Sequence, residues 1–138
     1  MAQFDIAYNR TKPFEGGYVN DPDDLGGETY KGISRKANPK WEGWLIVDFH
    51  KSLPNFPRNL ESSKELQNMI PGFYKKNYWN VFWGDRLKSQ KIANEIYDQC
   101  VNLGASRAIK IAQRVSGHDQ TGRMTDALLN HLNELTLT

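Results

Sequence analysis

The chain has few of the residues that form covalent cross-links and metal sites. Its 138 residues include one cysteine, Cys100, so no intrachain disulfide can form. Cys100 falls within a helical apolar pattern, which predicts a small core residue rather than a nucleophile. The three histidines, His50, His118 and His131, have no second ligand at the spacing of a zinc site, so we expect no metal.

Several features that define large functional classes are also missing. No apolar run approaches the length of a membrane-spanning helix. The net charge of +2 is too small to indicate a nucleic-acid partner. No phosphate-binding loop and no Gly-x-Ser-x-Gly turn is present, and we expect no cofactor. The first residues lack the basic segment and apolar run of a secretory signal, so none is expected.

The acidic run from Asp21 to Glu28 is the one stretch that suggests a cation site. An EF-hand loop would need an oxygen ligand where Leu25 stands and a glutamate where Gly32 stands. The sequence therefore excludes that loop and leaves only an irregular cation site as an alternative.

The composition is that of one globular domain. Hydrophobic residues make up 38% of the chain and charged residues 25%, as in ordinary folded proteins. A chain of 138 residues is long enough to bury its own core, so we expect a single, monomeric domain over 1–138.

Apolar residues recur at helical spacing through most of this domain. The pattern predicts helices over 3–15, 41–49, 62–70, 71–79, 92–103, 105–116 and 124–135. Ser62 would cap the third of these, and Pro71 would open the fourth. In the second, Leu45 and Phe49 are expected to pack in the core. A short helix is expected from Ser34.

One stretch, residues 15–34, differs from all of these helices. It holds five glycines, one proline and five carboxylates in twenty residues, which no regular helix tolerates. Glu15 follows the first helix beside apolar Phe14, where the helix dipole and the apolar neighbours favour the protonated form of a general acid. Asp24 lies in a turn-forming run and should stay ionised. Thr29 begins the return strand of a short β-ribbon.

Two blocks of the chain resemble a known family. The first is Glu15-Gly16-Gly17-Tyr18 followed by Asp24-x-Gly26-Gly27-x-Thr29-x-x-Gly32-Ile33. The second is Tyr78-Trp79, then Val101-Asn102-x-Gly104 and Arg107-Ala108-Ile109-Lys110. Both blocks, in this order, are similar to motifs of glycoside hydrolase family 108. Its members are small N-acetylmuramidases that include phage endolysins and proteins first described as secretion activators.

This resemblance implies a mainly helical, lysozyme-like fold of about seven helices with a small β-ribbon at the cleft. It implies hydrolysis of the β-1,4 bond between N-acetylmuramic acid and N-acetylglucosamine in peptidoglycan. Glu15 would protonate the leaving oxygen, and Asp24 would stabilise the oxocarbenium-like transition state or position water. Thr29 would hold that water.

The partner implied by the resemblance is the glycan strand of peptidoglycan. The side chains expected to bind it are Tyr18, Tyr78, Trp79 and Asn102. The aromatic stretch 77–84 could equally form a core corner or line the cleft, and within it Tyr78 and Trp79 are the pair expected to face the cleft. Without a secretory signal, release through a holin-type pore or a dedicated export system would bring the enzyme to the cell wall.

The C-terminal part departs from the family pattern. The turn within 119–125 is one residue shorter than the family's turn at this point and lacks its first glycine. We therefore expect no separate wall-binding module in the helical remainder, 35–138.

Three alternatives stay open at this level. A single catalytic glutamate also serves lytic transglycosylases, which cleave the same bond. A non-catalytic glycan-binding protein would keep the aromatic residues and make Glu15 dispensable. Asp23 could carry the role given to Asp24, although its position after Pro22 favours a turn cap.

Overall fold

The structure, a computed structural model, describes residues 1–11, 17–23 and 27–135. These residues form six α-helices: α1 (Phe4–Arg10), α2 (Gly43–His50), α3 (Lys64–Tyr74), α4 (Gln90–Leu103), α5 (Ala105–Val115) and α6 (Asp126–Glu134). They also form three strands: β1 (Tyr18–Asn20), β2 (Glu28–Tyr30) and β3 (Ile33–Ser34). The predicted fold class, mainly helical with a small β-ribbon, is confirmed. None of the described helices has the length and apolar character needed to cross a membrane.

The chain divides into two compact units. The sheet unit is Pro13–Gly72, and the helical unit combines Met1–Lys12 with Phe73–Thr138. The sheet unit contains the three strands, α2 and most of α3. The helical unit contains α1 and α4 to α6.

The sheet unit is built on an antiparallel sheet in the order β1-β2-β3. The register of the first pair of strands is Tyr18↔Tyr30, Val19↔Thr29 and Asn20↔Glu28. Neighbouring residues of a strand point to opposite faces of a sheet. Tyr30 and Ile33 are buried, and they anchor the sheet in the core of this unit.

Helix α2 covers the sheet unit with one face only. Trp44 and Val47 are buried, whereas Leu45 is 72% exposed and Phe49 is 63% exposed. The expectation that Leu45 and Phe49 pack in the core is therefore wrong. This short helix is apolar on nearly all sides, but only one side of it contacts its neighbours. Leu45 and Phe49, four residues apart, lie together on a different, exposed side.

The N-terminal cap of helix α3 lies one residue later than predicted. The hydroxyl of Ser63, not Ser62, accepts the Leu66 backbone N–H at 3.2 Å. The Ser62 hydroxyl instead donates to the Asn59 carbonyl at 2.7 Å. Pro71 lies inside α3 rather than opening a new helix, and a π-helical turn, Lys75–Trp79, follows.

Two further boundaries differ from the sequence prediction. The residues after Ser34 form turns rather than a short helix. Helix α1 ends at Arg10, and the rest of the predicted span 3–15, from Lys12 onward, lies outside the described residues.

An aromatic cluster forms the core of the helical unit. The ring of Phe4 lies 5.8 Å from that of Trp79 and 5.7 Å from that of Tyr97, between centroids. Trp79 also packs against Phe82 at 5.3 Å. All four side chains are buried. Contacts between residues far apart in the sequence therefore join α1 to α4.

Helix α4 starts at a side-chain cap, and it stops at the glycine that the sequence predicted. The Ser89 hydroxyl accepts the Ile92 backbone N–H at 3.2 Å. Gly104 has φ +93°, a conformation that favours glycine, and it separates α4 from α5. Cys100 is fully buried on α4, and burial raises the pKa of its thiol to about 12. Its predicted place in the core is confirmed.

The shortened turn within 119–125 is held by the buried amide of Gln113. Its Nε2 donates to the Thr121 hydroxyl at 3.0 Å and to the Arg123 carbonyl at 2.9 Å. Its Oε1 accepts the Gly122 backbone N–H at 3.0 Å. A single side chain therefore ties α5 to the turn that leads into α6.

The packing of Trp79 gives a test of this core. An added Cβ at Gly84 would lie 2.2 Å from the Trp79 ring, which is itself buried and hydrogen-bonded to Asp85. We expect Gly84→Ala to lower the free energy of unfolding by about 1–3 kcal/mol through overpacking. Urea unfolding followed by circular dichroism measures this change.

Gly72 in α3 provides the matched control, since an added Cβ there meets nothing within 4 Å. Gly72→Ala should raise stability by about 0.5–1 kcal/mol, because alanine favours the helix. Equal effects of the two substitutions would contradict this account of the core.

Candidate functional site

The residues of the motif 15–34 divide into described and undescribed parts. Glu15 and Asp24, the predicted acid and second carboxylate, lie outside the described residues. Tyr18 lies on β1 and Thr29 on β2, both described. The site can therefore be built from the sheet that carries the motif.

The sheet register places Tyr18 and Thr29 on opposite faces. Tyr18 is paired with Tyr30, and its hydroxyl donates to Glu28 at 2.6 Å, so these three side chains share one face. Thr29 is paired with Val19 and belongs to the other face. Thus the structure does not bring together these two predicted site residues.

The Thr29 side chain is half-buried and makes one weak hydrogen bond to a described residue. Its hydroxyl donates to the Gly27 carbonyl at 3.4 Å, which is long for an O–H···O bond. The oxygen keeps its capacity to accept a hydrogen bond from water.

The turn after β1 is capped by Asp21. Its carboxylate accepts the backbone N–H of Asp23 at 2.9 Å. Asp23 provides the backbone donor of this bond, and the expectation that its own side chain caps the turn stays a prediction, because residues 24–26 lie outside the described residues. Asp21 is the residue that forms the Asx-type turn.

A network of four charged side chains joins the sheet to α2. Arg35 binds Asp48 through two parallel hydrogen bonds, both of 2.7 Å. It also donates to Glu28 at 3.0 Å. Lys51 pairs with both Glu28 and Asp48. The two carboxylates and two cations are therefore mutually neutralised.

These contacts shift the pKa of both carboxyl groups downward. The hydrogen bonds from Arg35 are the main reason that the pKa of Asp48 falls to about 2. Burial alone would raise the pKa of Glu28, but hydrogen bonds from Lys51, Tyr18 and Arg35 outweigh it and lower the pKa. Both groups are held as carboxylates, which is unsuited to a general acid.

A cavity opens beside the Tyr18 face of the sheet unit. It has a volume of about 510 Å³ and is lined by Gly17, Tyr18, Tyr30, Asn55, Phe56, Pro57, Arg58 and Glu61. We call it the Tyr18 groove. The rings of Tyr18 and Phe56 meet edge to face at 4.9 Å on its wall. Gly17, the second residue after Glu15 in the sequence, lies at its rim.

The polar side of this groove is organised around Glu61. Its two oxygens accept hydrogen bonds of 3.3 Å from the Tyr30 hydroxyl and from the Lys31 ammonium group. Gln67 links the same two partners, since its amide donates to Tyr30 and accepts from Lys31. Burial is the main cause that raises the pKa of Tyr30 to about 12, so its hydroxyl stays a donor.

The sequence motif did not reveal most of this groove. Asn55, Phe56, Arg58 and Glu61 come from the loop after α2 and the 3-10 turn Arg58–Ser62. The only local sequence feature that could have indicated them is the pair of prolines flanking Asn55-Phe56 in that loop.

The remaining predicted glycan-binding residues belong to the helical unit. Trp79 is fully buried and donates its indole N–H to Asp85 at 2.9 Å, which agrees with the core alternative. Tyr78 is partly exposed and packs on Tyr74 at 5.5 Å between ring centroids. Asn102 is exposed and donates to the Asp98 carboxylate at 3.2 Å.

No metal centre is evident in the residues that the structure describes. Among them, no three histidine, cysteine, aspartate or glutamate side chains gather as a metal would require. Of the described members of the acidic run Asp21–Glu28, Asp21 is engaged in its turn and Glu28 with its cations.

The lowered pKa values predict that acid weakens the sheet unit. Asp48 and Glu28 stabilise the fold fully above about pH 4–5, and this contribution is lost as pH falls toward about 2. We expect Asp48→Asn to lower the free energy of unfolding at pH 7 by about 1 kcal/mol or less, since the pair is partly exposed. The difference from wild type should shrink at about pH 2, as measured by urea unfolding.

Asp119→Asn is the control, because Asp119 is exposed and its side chain bonds to no described residue. It should behave like wild type at each pH. A deficit of Asp48→Asn that is the same at both pH values would show that the ion pair does not cause the acid sensitivity.

The chain is similar to proteins of known family and structure. The family model of glycosyl hydrolase 108 matches residues 8–104. The structure of SagA from Brucella abortus is similar, with 26% sequence identity and a TM-score of 0.64 over 96% of this chain and 70% of that chain. No curated protein matches the chain significantly.

The family match covers well over half of the chain and includes the whole motif 15–34. The resemblance noted from the two sequence blocks and the lysozyme-like fold it implied are both confirmed. This chain therefore belongs to glycosyl hydrolase family 108 and is an enzyme that cleaves glycosidic bonds in a glycan.

Proposed function

We propose that this enzyme is an N-acetylmuramidase that hydrolyses the β-1,4 bond between N-acetylmuramic acid and N-acetylglucosamine in peptidoglycan. The observation that carries the proposal is the family match over residues 8–104, which contains Glu15, Asp24 and Thr29 in their motif. The bacterial cell wall is then its place of action.

Glu15 is the proposed general acid, which protonates the leaving glycosidic oxygen. Asp24 is the proposed second carboxylate, which stabilises the oxocarbenium-like transition state or positions water. The sequence supports both assignments, because Glu15 follows the first helix beside an apolar residue and Asp24 stands in a polar turn.

Thr29 is the proposed holder of the attacking water. Among the described residues, its hydroxyl makes only the long bond of 3.4 Å to the Gly27 carbonyl, and its oxygen can still accept a hydrogen bond from water. The register Val19↔Thr29 fixes its position on the sheet. The backbone N–H of Lys31 also donates to the Gly17 carbonyl at 3.1 Å, which ties the residues after Glu15-Gly16 to the hairpin.

Glu15→Gln tests the acid directly. The substitution keeps the size of the side chain and removes its transferable proton. We expect at least about a hundredfold loss of wall-lytic activity, the scale of general acid catalysis, with an unchanged circular dichroism spectrum. Activity is measured as clearing of purified peptidoglycan.

Glu65→Gln is the matched control, since Glu65 is an exposed glutamate in the first turn of α3. It should keep wild-type activity. If Glu15→Gln also clears peptidoglycan at the wild-type rate, Glu15 is not the acid.

The two neighbouring aspartates can be separated in the same assay. Asp24→Asn should reduce turnover about tenfold or more, because it removes the charge proposed to face the developing positive charge. Asp23→Asn should leave turnover near wild type and lower stability by about 1 kcal/mol, because the Asp23 side chain is expected to cap the turn. The reverse pattern would move the second carboxylate role to Asp23.

Mass spectrometry of the digestion products identifies the reaction. Reducing muramic acid ends support hydrolysis. Anhydromuramic ends would replace the proposal with a lytic transglycosylase. Intact glycan after prolonged digestion would replace it with a non-catalytic glycan-binding protein.

A further inference from the structure

The Tyr18 groove lies on the face of the sheet that Thr29 does not share. Tyr18 and Tyr30 line the groove, whereas Thr29 alternates with them along the strands. A second cavity of about 590 Å³ is lined in part by the same residues, Asn55, Arg58 and Glu61.

The lining of the groove has the chemistry of a sugar site. Sugar rings pack their CH faces on aromatic rings, and their hydroxyl groups need donors and acceptors nearby. Tyr18 and Phe56 supply the aromatic wall. Asn55 supplies an amide, and Glu61 supplies carboxylate oxygens with lone pairs left over.

Arg58 adds a positive charge that has no counter-ion among the described residues. The other cations near the groove are paired within the sheet unit: Lys31 with Glu61, and Arg35 and Lys51 with Asp48. Arg58 is exposed, lines both cavities, and makes no hydrogen bond or ion pair with any described residue. Its guanidinium group is free to bind a carboxylate in two parallel hydrogen bonds.

Glu61 faces the same groove and would repel an anion. Its charge is, however, met by the Lys31 ammonium group and by the Tyr30 hydroxyl. The balance of charge along the groove therefore favours a ligand with one negative group at the Arg58 end and neutral hydroxyl groups elsewhere.

We propose that the Tyr18 groove binds saccharide and holds a carboxylate-bearing unit of the glycan through Arg58. The proposal rests on the proposed function, because peptidoglycan supplies such units. The carboxylate has two sources in that polymer. It is the lactyl group of muramic acid where the stem peptide has been removed, and it belongs to the stem peptide where the lactyl group is in an amide bond.

Binding to defined glycans tests this site without requiring cleavage. Each variant is made in the Glu15→Gln background, and its Kd is measured by isothermal titration calorimetry. The probes are amidase-stripped glycan strands, stem-bearing strands and chitotetraose, which carries no carboxylate. We expect Arg58→Gln to weaken binding of a carboxylate-bearing strand about fivefold or more, with a much smaller change for chitotetraose. Arg58→Lys should restore part of the loss.

Loss confined to stripped strands assigns the lactyl group, and loss confined to stem-bearing strands assigns the stem carboxylate. Either result supports the site. Phe56→Leu, which removes the ring but keeps an apolar side chain, should weaken binding of all three probes. Lys40→Gln, an exposed cation that does not line the groove, is the control and should bind like the parent.

Unchanged Kd values for Arg58→Gln on both anionic probes would overturn the proposal, as would equal losses on chitotetraose. Circular dichroism of each variant verifies that it folds. These binding measurements do not depend on turnover. A wild-type enzyme that cleaves no peptidoglycan would refute the proposed function, whereas the Kd values of the Arg58 variants would still test the groove.

Discussion

The interaction on which the sheet unit depends is the binding of Glu28 by cations from outside its own strand. Glu28 lies on β2, is half-buried, and meets Arg35 from the segment after β3 and Lys51 from the end of α2. Without such partners, the carboxylate would lose the hydrogen bonds that offset its partial desolvation, and the fold would be less stable. Glu28 therefore requires α2 and the sheet to pack together in one register, and Asp48 completes the charge balance.

That register decides how the chemistry is distributed. Because β1 and β2 pair Tyr18 with Tyr30 and Val19 with Thr29, the two tyrosines lie on one face of the sheet and Thr29 lies on the other. A slip of one residue would exchange the faces and bury Thr29 in place of Tyr30. The ionic network therefore maintains both the surface that carries Thr29 and the groove that carries Tyr18.

The sequence predicted features that depend on local chemistry and missed those that depend on distant contacts. Helical periodicity, the stop at Gly104 and the glycine-rich hairpin follow from backbone preferences, and the structure agrees with them. The apolar pattern around Leu45 and Phe49 correctly predicted a helix, but it could not show which side of the helix would be buried. The Tyr18 groove was missed because Arg58 and the hairpin are brought together only by folding.

The groove and the ionic network share one side chain, and this couples binding to the protonation of the network. Tyr18 forms the groove wall with Phe56, and its hydroxyl donates to Glu28 beneath it. Burial, and then the bond to Glu28, raise the pKa of Tyr18, so that donor persists through neutral pH. If acid neutralises Glu28, its hold on the Tyr18 hydroxyl weakens, because a neutral carboxyl is a poorer acceptor than a carboxylate. The orientation of the aromatic wall therefore depends on the same charge that fixes the sheet to α2.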